Sequence, residues 1–141
     1  MTTINLNEKF YELEDGEIIK DQILDKDEKG VVREDRFGNP KTKEGKPMTL
    51  KIYIIRALTA THINPSDRKT ELVDGEEKDK RAEIAERVQA EKELITLKAE
   101  EITLIKRLIG WMFPPQIVRQ VQTILIFSPN LLPLKTLGHS P

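Results

Sequence analysis

A chain of 141 residues, 38% apolar and 33% charged, fits one domain with a modest core and a solvated surface, which argues against a large buried catalytic cleft. The absence of cysteine excludes disulfide scaffolds, thiolate nucleophiles and cysteine-based zinc sites, and fits a reducing compartment. A net charge of −1 argues against a generic polyanion binder, although residues 1–48 carry 12 acidic and 9 basic side chains and residues 98–141 carry 2 and 5.

The start, MTTINLNEKF, lacks a basic stretch followed by an apolar one, and no run nears the roughly 18 apolar residues of a membrane span, so a cytoplasmic protein without membrane contact is expected. Residues 1–48 read as a turn-rich charged hairpin region. Asp15-Gly16, Lys29-Gly30, Phe37-Gly38-Asn39-Pro40 and Glu44-Gly45 punctuate short apolar clusters at Phe10-Tyr11-Leu13, Ile18-Ile19, Ile23-Leu24 and Val31-Val32. One or two β-hairpins follow from this, with Asp15-Gly16 the strongest turn; residues 25–48 suit a second hairpin or a mobile loop equally.

Residues 49–125 read as a helical core. Thr49 caps a helix through Lys51 to Leu58, with Leu50, Ile54, Ala57 and Leu58 on one face, although its β-branched residues also suit a buried strand. Thr61 to Leu72 is a surface loop around Asn64-Pro65-Ser66-Asp67. Asp74-Gly75-Glu76-Glu77 starts a largely solvated helix to about Lys92, in which Glu77 can pair with Arg81 and Glu83 with Arg87. Leu94 to Leu97 is a short extended link. Ala99 to Met112 is the most apolar helix, lined by Ile102, Ile105, Leu108, Ile109 and Met112; Pro114-Pro115 then turns the chain into a last helix from Gln116 to about Leu125. The Pro/Leu-rich tail, 126–141, either straps its leucines over the core, the favoured reading, or stands exposed to bind something. The fold class is thus α+β and helix-rich, with an N-terminal β-hairpin region, about four helices and a single domain; no internal repeat is read in it.

No catalytic, cofactor-binding or metal-ligating constellation is read in the chain, so no enzyme and no cofactor is expected. Asp25-Lys26-Asp27-Glu28-Lys29-Gly30 begins like a calcium loop, but Lys29 and Arg36 stand where oxygen ligands are required. His62 and His139 have no evident partners, and Ser66 and Asp67 belong to a turn. Lys106, Arg107, Trp111, Phe113 and Arg119 combine aromatics with cations in the manner of a protein-binding hot spot, or of single-stranded nucleic acid stacking in second place. The competing account makes Trp111 and Phe113 core anchors at the proline corner and the cations their solvated rim.

Asp74-Gly75-Glu76-Glu77-Lys78-Asp79-Lys80-Arg81, Ala99-Glu100-Glu101-Ile102-Thr103-Leu104-Ile105-Lys106-Arg107-Leu108-Ile109-Gly110 and Pro114-Pro115-Gln116-Ile117-Val118 together resemble small proteins encoded by tailed phages and prophages, over residues 47–125. The resemblance implies a non-enzymatic accessory protein in the host cytoplasm that binds a host or phage protein. An inhibitor or modulator of a host defence or transcription complex comes first, a virion (tail) assembly adaptor or chaperone second.

Overall fold

The computed structural model describes residues 1–63 and 66–126. Among them the chain runs β1 (Thr2–Asn5), β2 (Lys20–Leu24), β3 (Thr42–Pro47), α1 (Leu50–Thr59), α2 (Gly75–Ala90), β4 (Leu94–Leu97), α3 (Ala99–Met112) and α4 (Pro115–Ile126). The expected α+β class, hairpin region and four helices are all present. The tail after Ile126 and His139 lie outside the described residues, as do Asn64 and Pro65 of the surface loop.

Leu94 to Leu97 is more than a link. It pairs antiparallel with the first residues of the chain, Thr2 opposite Leu97 and Ile4 opposite Ile95. Alternation explains the fit: Ile4 and Leu6 from one strand, and Ile95 and Leu97 from the other, are buried on the same side, while Thr3 and Thr96 bond through their hydroxyls at 2.8 Å on the outer side. The hairpin region is therefore not separate from the helical core, because its first strand belongs to that core.

Thr49 caps α1 by accepting from the Ile52 amide, and the two preceding helical amides are met by the N-terminal segment: Leu50 N–H donates to Glu8 C=O and Lys51 N–H to Leu6 C=O. Those donors have no partner within their own helix, so the strand's continuation acts as a second cap, and the β-branched run settles as helix rather than strand. Asp74 caps α2 through the Glu77 amide at 2.8 Å. At the other end of α2, Lys51 Nζ donates to the carbonyls of Gln89 and Glu91, as a cation at a helix C-terminus should.

The core lies where α1 meets α2 and α3, with α4 folded back on α3. Leu50, Ile54, Ile84, Val88, Ile105, Leu108 and Val121 are all essentially inaccessible to solvent. Phe10, Tyr53 and Phe113 form an edge-to-face ladder, with centroids 4.6 and 4.8 Å apart, that joins the N-terminal segment to α1 and to the proline corner. Burial pushes the Tyr53 phenol up to about 12. Two helix-α4 glutamines hold the N-terminal segment from outside: Gln120 accepts from the Tyr11 amide and donates to the Tyr11 carbonyl, and Gln116 accepts from the Leu13 amide.

Polar ties complete the helical half. Both expected pairs on α2 form, Arg81 with Glu77 at 2.8 Å and Arg87 with Glu83 at 3.8 Å. The buried Glu101 accepts from the Lys98 amide at the start of α3 and pairs with Arg87 at 2.6 Å. Burial opposes its charge, but Arg87 and the Lys98 amide hold the carboxyl below the usual carboxylate range.

Glu101→Gln should lower the unfolding free energy by about 1–2 kcal/mol at neutral pH. The folded carboxyl titrates below its unfolded value, so its contribution is complete above the unfolded carboxylate range and is lost as pH falls through the folded value. Urea unfolding at about pH 7 and about pH 3 should therefore show the gap between wild type and variant closing on acidification; a gap that widens would contradict this account of the pair.

Candidate functional site

Residues 20–47 form an arm whose design rests on turn chemistry. Two octads, Asp25 to Val32 and Arg33 to Pro40, share only an aspartate at position three and a glycine at position six, yet close in the same way. Asp27 Oδ1 accepts from the Lys29 and Val31 amides, and Asp35 Oδ1 from those of Phe37 and Asn39. Gly30 and Gly38, at φ 83° and 82°, return the chain through the left-handed region that glycine occupies at little cost. Each octad ends in a bridge, Lys26 with Val32 and Glu34 with Pro40, and β2 with β3 supplies the third ladder.

The three ladders meet at a closed ring of backbone bonds: Asp25 N–H to Lys41 C=O, Lys41 N–H to Arg33 C=O, and Arg33 N–H to Asp25 C=O, at 2.7–2.9 Å. Spacing by eight residues puts these three at equivalent stations, so the arm is a three-way junction of hairpins. Of the two readings open for residues 25–48, the structure shows hairpins. The two turns are built alike although the octads share only the two residues that make them.

This arm stands apart from the core. Most residues of β2 and β3 are exposed on both faces. Its base is tied by Asp21 to Arg56 at 2.9 Å, by Met48 N–H to Ile19 C=O, and by Ile19 packing on the core. Ile23, Leu24, Val31 and Phe37 are exposed, Phe37 to 75%, and the Arg36 guanidinium lies 4.8 Å from the Phe37 ring centre. The Asp35 carboxyl, turned onto the Asn39 and Phe37 amides, is held below the usual carboxylate range. Beside the base, the turn closed by Tyr11 and Ile18 exposes Leu13 to 75% and borders a groove of about 480 Å³ lined by Glu12, Asp15, Glu17, Ile18, Ile19, Lys20, Gln22 and Glu44.

The residues singled out from sequence fall in three places. Arg107 lies with its guanidinium 5.5 Å from the centre of the half-buried Trp111 ring, and Lys106 is half-buried beside it on α3. Phe113 belongs to the ladder with Tyr53. Arg119 is exposed on α4. The structure joins Arg107 to Trp111 and leads Phe113 inward.

His62 is 5% exposed, with Nε2 2.6 Å from the Ala57 carbonyl at the end of α1 and its ring 6.1 Å from Trp111. It borders a cleft of about 390 Å³ with Thr61, Thr70, Glu71, Lys78 and Arg81. Arg81, 5% exposed, pairs with Glu71 at 2.9 Å and with Glu77; burial opposes its charge and the two carboxylates outweigh that, raising its pKa. Two carboxylates thus meet the Arg81 charge, while its Nε and Glu71 Oε1 are buried without a hydrogen bond among the described residues. Among the described residues no group of three or more His, Asp or Glu side chains could hold a metal ion, and no helix is long and apolar enough to cross a membrane. Asp25 pairs with Arg33 and Asp27 serves its turn, which accounts for the failed calcium loop. Comparison with family models, curated proteins and solved structures finds no match.

Phe37→Ser should change stability by no more than about 0.5 kcal/mol, because the ring lies outside the core. Phe113→Ala should cost about 2–3 kcal/mol through the lost packing on Tyr53. Thermal denaturation of the two variants checks the contrast, and an unfolded Phe37 variant would make that ring a structural member. In a carbon-detected carboxyl titration, Asp35 should titrate below an unstructured aspartate.

Proposed function

We propose that this chain works by binding another protein and that the three-way arm is the element it offers. The observation that carries this reading is an ordered appendage, built by two Asx turns and a ring of backbone bonds, that displays Phe37, Val31, Ile23 and Leu24 to solvent. An aromatic ring backed by an arginine has the composition of an interface anchor, and turn-locked backbone loses little entropy on docking. The Arg107 and Trp111 stack on α3 supplies a second contact of the same chemistry.

The resemblance of residues 47–125 to phage-encoded proteins supports an accessory role in which the partner is a host complex of the defence or transcription machinery. Affinity capture of the tagged chain from host lysate, with and without infection and with nuclease, should retain a nuclease-resistant host complex that Phe37→Ser releases and Leu72→Ser, a change at a fully exposed loop leucine, does not. Recovery of virion proteins alone would replace modulation by assembly, and loss of all captured protein on nuclease treatment would replace protein by nucleic acid as the partner.

A further inference from the structure

The two ends of the arm are complementary to one another. Its tip carries Arg36 and Phe37, and among the described residues Arg36 has no carboxylate partner, only the ring beside it. Its base borders the groove in which Glu12, Asp15, Glu17 and Glu44 face a single ammonium, that of Lys20, over a floor that includes Ile18 and Ile19. Lys20 is itself paired with Glu44 at 3.2 Å, and among the described residues Glu12 and Asp15 accept only from the uncharged Gln116 amide and Glu17 backbone N–H, so Glu12, Asp15 and Glu17 set the sign of the groove. A guanidinium with an apolar ring is the chemistry such a groove receives, through carboxylate hydrogen bonds at the rim and apolar contact at the floor.

Within one chain the ring at Asp25, Arg33 and Lys41 stands between the tip and the base. Two arms laid antiparallel about a two-fold axis satisfy both ends at once: each tip enters the other copy's base, and one exposed face of β2 between them meets its own copy. Such an isologous arrangement closes on itself. We propose that two copies of this chain clasp arm to arm, with Arg36 and Phe37 of each seated in the Glu12, Asp15 and Glu17 groove of the other. The clasp needs no third component. It deepens the protein-binding reading in one respect, because a partner docking on the arm then displaces a second copy.

Sedimentation velocity of the purified chain alone tests this, so its outcome is separate from the capture experiment. Wild type should sediment as a dimer at about 100 µM, with an affinity that falls with added salt as expected of a charge-guided contact. Arg36→Glu, Glu17→Lys and Phe37→Ser should each raise the dimer dissociation constant about tenfold or more while leaving circular dichroism unchanged, as well as melting at a concentration low enough that wild type is monomeric. An equimolar mixture of Arg36→Glu and Glu17→Lys is the decisive arm. In the heterodimer one contact pairs the two altered residues and the other pairs the two native ones, so dimerisation should return to within about threefold of wild type. A monomeric wild type, a dimer indifferent to Phe37→Ser, or single variants that stay monomeric when mixed would each overturn the clasp.

Discussion

The antiparallel pairing of β1 with β4 is the constraint on which the rest of the molecule depends. It brings Thr2 to Leu97 and so closes the chain ahead of α3 and α4 into one loop, at an entropic cost that grows only slowly with loop length. Burial of Ile4, Leu6, Ile95 and Leu97 offsets that cost. The pairing also decides where the following residues lie. With β1 fixed, the carbonyls of Leu6 and Glu8 reach the first amides of α1, Phe10 enters the ladder with Tyr53, and Gln116 and Gln120 of α4 grip the backbone at Tyr11 and Leu13. One short strand thus meets α1 and α4 through its continuation, and the arm leaves the body in a defined direction.

The arm obeys a different physical logic. Isolated two-stranded hairpins are marginal in water, and this one has little apolar surface to bury. What it has is turn chemistry: two aspartates that each accept two amides, two glycines at positive φ, and three backbone bonds that tie the ladders together. The apolar side chains therefore remain outside. Ile23, Leu24, Val31 and Phe37 are thus apolar surface that the body does not cover.

Helix starts were legible in the sequence because capping is local. Thr49, Asp74 and the acidic first turn of α3 announce themselves within a few residues, and Pro114-Pro115 marks the corner as directly. The β1–β4 sheet was not legible as a pairing. Thr2 to Leu6 alternates as a strand should, but nothing local says that its partner lies at Leu94. Buried polar groups were hidden for the same reason: His62 and Arg81 read as loop and surface residues, and only the tertiary approach of Ala57, Glu71 and Trp111 explains them. At the candidate site, the aromatic and cationic residues of α3 could be found by composition, whereas the arm could not. Its repeat is carried by an aspartate and a glycine in every eight residues, a pattern that ordinary turn-rich sequence imitates.

The arm is ordered without belonging to the core. Amide hydrogen exchange measured residue by residue tests this at the junction, where the amides of Asp25, Arg33 and Lys41 close the ring. All three should exchange well below the rate of an unstructured chain and open together, at a lower free-energy cost than the amides of α3 in the core. Exchange of these three at unstructured rates, with the core amides still protected, would contradict it.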